Sequence, residues 1–464
     1  MTDVVVAGGG FAGLAAALFM ARRGHLVTIV ERDGPPTGSG PEDDAQNWAR
    51  PGAPQSHQSH LLLGRARRVL AEESPDVIDE FIARGIRQSP AVVGASSLDG
   101  EYFLMSRRLV AEATLRRIVE REPGVKILSG DAVIALEVNS SGDTPIATGV
   151  RLATGTVLNA PLIVDAGGRR SALPSWLAQV GARPPIDQTQ ECGFFYATRY
   201  YRLRQGCTAP ITQIPAAVAL DYATVLAFGG DNETFSLSTT FSIHDPHRSR
   251  LRDPDFHTRF LTSVPMTAPW MAVGEPISEI STMSRIENRR RNLVDDNGPI
   301  IGGLVALGDA ALHTNPTVGR GISLAFWHAQ HLAEVAGTAI DNPTDFVQNF
   351  HDWTSEHLGV WFDSQVAVDA AGLARLDAGL RGERLPASTD PMIRRQIAAF
   401  ACAQHDTIVG NAVASVVHLL KPPAQAFGDP AVVTRIEEFL ATNPNLERKP
   451  DVPSRQEFEK LVST

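Results

Sequence analysis

Gly8, Gly10 and Gly13, followed by an acid at Glu31, form the pattern in this 464-residue chain that points most directly to chemistry. In Gly-x-Gly-x-x-Gly the first glycine permits a sharp turn out of a strand. The second lets the backbone approach a pyrophosphate, and the third lets the following helix pack closely. Backbone N–H groups and the positive end of that helix then face the phosphates. A carboxylate at the end of the next strand, here Glu31, can accept hydrogen bonds from the ribose hydroxyls of an adenosine. The pattern asks for a dinucleotide.

Positioning these residues takes a strand, a helix and a second strand. Residues 3–7 are an uninterrupted apolar run, the mark of a buried parallel strand. Residues 13–23 read as a helix ended by Gly24, and residues 26–30 as a second buried strand closing on Glu31. The Gly-, Pro- and acid-rich stretch 34–53 predicts a long loop. Helical periodicity follows over 59–70, 76–83 and 109–120, and short strands are expected at 125–127, 132–138, 148–153 and 162–164. Between about 193 and 283 the texture alternates, most clearly over 194–201, 224–228 and 234–243, which predicts antiparallel strands. Phe194, Phe195, Tyr196, Tyr200 and Tyr201 lie in the first of these and fit either a pocket lining or sheet-face packing. The apolar strand 304–307 returns to the parallel pattern and leads to a helix near 321–334. Beyond 342 the chain reads as mostly helical, with proline interruptions at 386–391 and 422–423.

Composition removes several classes of function. The formal net charge is −10, whereas nucleic-acid partners require a basic face. Cys192, Cys207 and Cys402 are odd in number and have no C-x-x-C spacing, which disfavours a disulfide framework or a zinc site. No apolar run reaches the roughly 18 residues of a membrane span. No basic residue precedes the apolar stretch 14–20, so it does not read as a secretory signal, and a cytoplasmic location is expected.

Five segments resemble one family, the FAD-dependent monooxygenases of the aromatic-hydroxylase superfamily. The glycine motif stands at the extreme N-terminus, as it does in that family. Ser106-Arg107-Arg108-Leu109 to Leu115 resembles the family's following helix and, aligned on Glu112 and Leu115, selects Arg108 as a contact to the flavin pyrophosphate or ribityl chain. Leu162 to Ser171, LIVDAGGRRS, resembles the segment that ends a strand with Asp-Gly and touches both FAD and the nicotinamide cofactor. Here Asp165 is followed by Ala166-Gly167-Gly168, as in the epoxidase, halogenase and prenyl-reductase branches. Leu304 to Ala325, LVALGDAALHTNPTVGRGISLA, resembles the Gly-Asp flavin motif. That resemblance gives Asp309 a ribityl hydroxyl to bind and places a turn through Pro316, Gly319, Gly321 and Ile322 before a helix facing the flavin pyrimidine edge. Leu312-His313 and Asn315-Pro316 replace the commoner residues and lean toward the epoxidase-like branch. The segment 50–60, with His57 and His60, resembles a loop beside the flavin ring in that branch. The two histidines could donate to a flavin oxygen or a peroxide, or could be structural. They lack the neighbours of a metal site, and none is expected.

The resemblance covers roughly residues 1–345 and implies an α/β protein. Its Rossmann-type FAD-binding domain comprises 1–85, 106–180 and 285–345. An inserted antiparallel β-sheet substrate domain (86–105 and 181–284) and a helical C-terminal region (346–464) complete the chain. Phe11, Ala12, Arg32 and Val133 join the implied cofactor contacts. The implied cofactor is FAD, reduced by NADPH or NADH either directly or through a separate flavin reductase. The implied partners are O2 and a mostly apolar small-molecule substrate, hydroxylated or epoxidised through a flavin hydroperoxide. Three rivals remain: a reductase or dehydrogenase of the prenyl-reductase type, a flavin halogenase, and a non-catalytic escort protein. The halogenase needs a lysine near the end of its first hundred residues and a Trp-x-Trp-x-Ile-Pro motif. This chain has no lysine before Lys126 and no such motif.

Overall fold

A computed structural model of the chain describes residues 2–93, 96–210, 216–383, 391–443 and 452–463. The apolar run Asp3–Ala7 is the middle strand of a five-stranded parallel sheet. The order across it is Leu304–Ala306, Leu162–Asp165, Asp3–Ala7, Leu26–Glu31 and Val125–Ser129. Val4, Val5 and Val6 are all buried, which explains the missing alternation: both faces of the strand are covered. The helix Phe11–Arg22 is buried from Phe11 through Met20 apart from Ala12. It packs against the helices Gly321–Val335 and Arg108–Arg121, and its alanines let those axes come close.

The alternating segments form a second sheet, antiparallel, ordered Ala216–Ala219, Ala223–Gly229, Thr234–Ser242, Phe194–Leu203 and Gly274–Pro276. Ser281–Met283 also pairs with Phe194–Leu203. One face carries Phe195, Tyr201, Phe235, Leu237 and Phe241 into a core with Phe256, Phe260 and Trp270. The other carries Tyr196, Thr198, Tyr200, Ser236 and Ser238, all buried, and is rich in hydroxyl groups. The strand Glu287–Asn292 then pairs with both Ile186–Glu191 and Leu312–His313. This pairing ties the antiparallel part of the chain to the Gly-Asp segment.

Two local expectations are corrected. Residues 59–63 are not helical: Leu61–Leu62 is a strand paired with Ser96–Met105, and the helix begins at Gly64. Three consecutive leucines bury on a sheet edge more readily than on one helix stripe. The stretch 34–53 contains a short helix, Pro41–Asn47, started by proline and with Glu42, Asp43 and Asp44 in its first turn. Residues 384–390, most of the 386–391 interruption, lie outside the described residues. Pro422-Pro423 does break the chain between the helices Thr407–Val417 and Pro423–Phe427.

Beyond 342 the described residues are largely helical. The 22-residue helix Gly359–Leu380 packs on the strands Thr234–Ser242 and Glu287–Asn292. The last helix, Arg455–Ser463, inserts the fully buried Phe458 among Tyr222, Phe241, Phe256 and Phe260 of the antiparallel sheet's core. Among the described residues no helix is long and apolar enough to cross a membrane.

Candidate functional site

A cavity of about 560 Å³ runs from the glycine turn to the Gly-Asp segment. At its first end the three glycines have separate physical duties. Gly8 has φ +116°, and a Cβ there would lie 2.4 Å from the Ala166 carbonyl oxygen, so no side chain fits. A Cβ on Gly13 would lie 2.0 Å from the Gly8 carbonyl oxygen, because the helix starts hard against the turn. A Cβ on Gly10 would meet nothing within 4 Å. The space beside Gly10 is the cavity itself, at the N-terminal end of the helix Phe11–Arg22.

Beneath this turn lies a buried ionic network. Glu31 accepts hydrogen bonds from the backbone N–H of Gly9 at 2.7 Å and of Asp33 at 2.8 Å. Arg50 reaches Glu31 at 3.3 Å, Asp33 at 3.0 Å and Glu112 at 2.7 Å, and its guanidinium lies over Trp48. The other oxygen of Glu112 accepts from Arg108 at 2.9 Å, while Arg108 covers the Phe11 ring. Burial would raise the Glu112 carboxyl, but Arg108 and Arg50 together hold it below the usual carboxylate range. The network fixes two cavity-lining groups, the Glu31 carboxylate and the Arg108 guanidinium. Sequence reasoning assigned no role to Arg50 or Asp33; the only available signal was the position of Arg50 in a loop already singled out.

At the far end the strand Leu304–Ala306 delivers Gly308 and Asp309. Gly308 packs so tightly on the first helix that a Cβ would lie 2.8 Å from that of Ala12. Asp309 is half-buried and lines the cavity, and its carboxylate accepts no hydrogen bond from the described residues. Gly319 takes the left-handed conformation at φ +67°, turning the chain into the helix Gly321–Val335, whose first residues also line the cavity.

The two candidate histidines part company. His57 is exposed on a 3-10 turn and does not line the cavity. His60 does, and its Nδ1 lies 2.7 Å from the Gln58 carbonyl oxygen. A carbonyl only accepts, so Nδ1 carries the proton and Nε2 is left as an acceptor. Burial, reinforced by Arg108, pushes the His60 imidazole down to about 3. It is neutral at working pH and has no N–H left to donate to a flavin oxygen or a peroxide, which corrects that expected role. His313 lines the cavity too, lowered by burial.

Asp165 points away from the cavity. Its carboxylate is fully buried and accepts from the Gly167 N–H at 3.0 Å and from the Ser171 hydroxyl. It shapes the loop whose members Ala166 to Arg170 face the cavity. Gly13 also stays outside the lining. Gly8, Gly10, Phe11, Ala12, Glu31, Arg32, Arg108, Val133, Asp309, Pro316, Gly319, Gly321 and Ile322 are brought together on it. None of the five aromatic residues of the first antiparallel strand is. Phe195 and Tyr201 are core, Tyr196 donates to Asn315 at 2.7 Å, and Tyr200 donates to the Gln58 carbonyl at 2.8 Å.

These residues suit FAD. The open approach at Gly10 and the helix N-terminus fit a pyrophosphate. Arg32, Arg169 and Arg170 line the cavity in addition to the carboxylate-paired Arg50 and Arg108, which favours an anionic ligand. The two carboxylates at opposite ends can accept from hydroxyl groups. No group of three His, Cys, Asp or Glu among the described residues could hold a metal ion.

Comparison with known proteins agrees with this geometry. Residues 3–166 match the family model described as FAD dependent oxidoreductase. The matched segment carries the glycine turn and Glu31, and the match supports an FAD-dependent oxidoreductase reading of that part of the chain. A Mycobacterium tuberculosis protein, Protein Rv3254, is 26% identical over 360 residues, 71% of each chain. The flavin-dependent brominase Bmp2 has the same fold with a TM-score of 0.62 and 16% identity, covering 95% of this chain and 99% of its own. A flavoprotein/dehydrogenase from Cytophaga hutchinsonii superposes with a TM-score of 0.63 at 15% identity, over 96% of this chain and all of the other. PqsL from Pseudomonas aeruginosa, described as "a probable FAD-dependent monooxygenase", gives 0.56 at 18% identity over 82% of this chain and 99% of its own. At these identities the likeness is one of fold.

Proposed function

We propose that the protein is an FAD-dependent monooxygenase that transfers one oxygen atom from O2 to a mostly apolar small molecule, by hydroxylation or epoxidation. The observation that carries the reading is a single cavity whose lining runs from the dinucleotide cradle to the strand Ser281–Met283 of the antiparallel sheet. There Leu61, Met283 and Ile286 give apolar lining, and Ser59, Thr282 and Ser284 offer hydroxyl groups. This mixture supports an apolar substrate carrying a hydrogen-bonding group.

FAD, once reduced by NADPH or NADH directly or through a separate reductase, would supply the activation of O2, one atom going to substrate and the other to water. The rest falls to the chain's own residues. The Gly10 backbone and the N-terminus of Phe11–Arg22 would hold the pyrophosphate, with Arg108 adding charge. Glu31 would take the adenosine ribose and Asp309 the ribityl chain. The N-terminus of Gly321–Val335 presents its N–H groups and positive dipole end where negative charge would develop on a reduced ring. His60 offers an acceptor at Nε2 to an N–H or O–H of a ligand. The buried hydroxyl face of the antiparallel sheet is held to the 54–61 loop through Gln58–Thr198, Gln58–Ser281 and Ser59–Ser236, an arrangement that excludes water from that side.

The test is an absorbance spectrum of the purified protein, then anaerobic mixing with NADPH or NADH and re-exposure to oxygen. A bound flavin bleached by the nicotinamide and rapidly reoxidised, with an oxygen atom from labelled O2 found in product, is the expected result. A bound flavin whose turnover with substrate consumes no oxygen would replace this reading with a reductase or dehydrogenase.

A further inference from the structure

The turn 315–320 borders the cavity through Pro316 and Gly319, while its polar side chains are held from behind by one helix of the C-terminal region. Asp369, on Gly359–Leu380, is 1% exposed. One carboxylate oxygen accepts from the Asn315 side-chain amide at 2.8 Å and from Gln365 at 2.9 Å. The other accepts from the Asn288 amide at 2.7 Å. Asn288 in turn accepts the backbone N–H of Asn315 at 2.7 Å, which closes a ring of three residues. Tyr196 donates to the remaining Asn315 oxygen at 2.7 Å. The backbone N–H and both polar side-chain atoms of Asn315 are therefore engaged. The same helix grips the other end of the turn. Arg320, buried, donates to the Trp361 carbonyl at 3.2 Å, and its guanidinium lies over the Trp361 ring.

The ring is unusual in its charge. Asp369 accepts hydrogen bonds only from neutral donors and has no cation within salt-bridge distance among the described residues; the buried Arg320 guanidinium acts on it only from further away, although a buried carboxylate is normally paired directly with a cation. Packing alone would be served by an apolar residue on that helix face. A fully solvated turn residue would tolerate many partners; a carboxylate accepting from three amides fixes where each amide stands.

We propose that Asp369 is a positioning residue for the cofactor, acting from the C-terminal helix through Asn315 to set the turn that lines the cavity. This rests on the reading of the cavity as an FAD site. Asn at 369 would oppose an amide N–H₂ to donors that now meet oxygen, and the ring would open.

The experiment is titration of the apoprotein with FAD, read by flavin fluorescence and by the visible circular dichroism of the bound cofactor, together with urea denaturation. Asp369→Asn should bind FAD at least tenfold more weakly and alter the dichroism of what remains bound. In combination with Asn315→Ala it should bind no more weakly than Asn315→Ala alone, because both act on one turn. Affinity within twofold of wild type with unchanged dichroism, even beside lowered stability, overturns the proposal and leaves Asp369 a structural residue. Should Asp369→Asn not fold, Tyr196→Phe removes one donor from the same amide and should weaken FAD at least threefold; unchanged affinity there is equally fatal. A wild-type apoprotein that takes up no FAD would instead refute the cofactor reading, and this inference with it.

Discussion

Replacing Gly10 with alanine separates what the glycine motif does for the fold from what it does for a ligand. Gly10 has φ −82° and ψ −173°, an extended conformation that alanine adopts freely, and its added Cβ would touch nothing within 4 Å. Alanine is a poorer helix N-cap than glycine by under about 1 kcal/mol. It also removes roughly 0.4–1 kcal/mol of unfolded-chain entropy, so the two effects nearly cancel. The apoprotein should keep its stability to within about 1 kcal/mol. The methyl group, however, would occupy the approach to the helix N-terminus. Losing two charge-assisted hydrogen bonds to a pyrophosphate, at about 1.5–3 kcal/mol each, gives roughly 3–6 kcal/mol. At about 1.4 kcal/mol per tenfold, FAD should bind some 10² to 10⁴ times more weakly. Gly13→Ala is the control with the opposite signature, since its Cβ would sit 2.0 Å from the Gly8 carbonyl oxygen and damage the apoprotein itself. Urea denaturation of the apoproteins and fluorescence titration with FAD measure both quantities. The reasoning is refuted if Gly10→Ala binds FAD within threefold of wild type, or if its apoprotein is destabilised as much as that of Gly13→Ala.

Asp309→Ala should weaken FAD by about 1–3 kcal/mol while leaving apoprotein stability alone, because the carboxylate accepts no hydrogen bond from the described residues; fluorescence titration and urea denaturation check the two halves. Arg50→Ala should destabilise the protein by about 3–5 kcal/mol, since it strips a shared cation from the buried carboxylates of Glu31, Asp33 and Glu112. A loss under 1 kcal/mol in chemical denaturation would mean the network is not holding charge. Buried His257, His328 and His418 are pushed down by burial to about 4, 3 and 4. The unfolded chain protonates them near 6.5 while the folded chain refuses the proton, so stability falls as pH drops below 6.5 and the loss levels off near the folded values. Each should contribute about 1.4 kcal/mol of loss at pH 5.5, or roughly 4 kcal/mol for the three relative to pH 8, measured by urea denaturation at both pH values.

What the sequence made legible is what local geometry dictates. Gly8, Gly10 and Gly13 lie within six residues, and each is demanded by a single turn. The strand Asp3–Ala7 is unalternating because both its faces are covered. The strands Phe194–Leu203 and Thr234–Ser242 alternate because one face meets an aromatic core and the other a hydroxyl-rich interface. Even so, alternation told which residues share a face and not what the face meets. Tyr196 and Tyr200 are spent on Asn315 and on the Gln58 carbonyl rather than on an open chamber.

The illegible part is the pairing of polar side chains across long separations. Arg50 and Glu112 stand 62 residues apart, Asn288 and Asp369 81 apart, and neither pair leaves a periodicity to read. His57 and His60 were equivalent on spacing alone. The backbone carbonyl of Gln58 decides the role of one, and exposure decides that of the other. Asp165 shows the same limit from the opposite direction, since a motif residue expected to face the cofactor instead holds the loop that lines the cavity. In each case an identifiable residue type at the site is set by partners that only the folded chain supplies. The motifs therefore mark where a cofactor would lie, whereas the orientation of the groups around it depends on residues as distant as Asp369 on a helix that carries no motif.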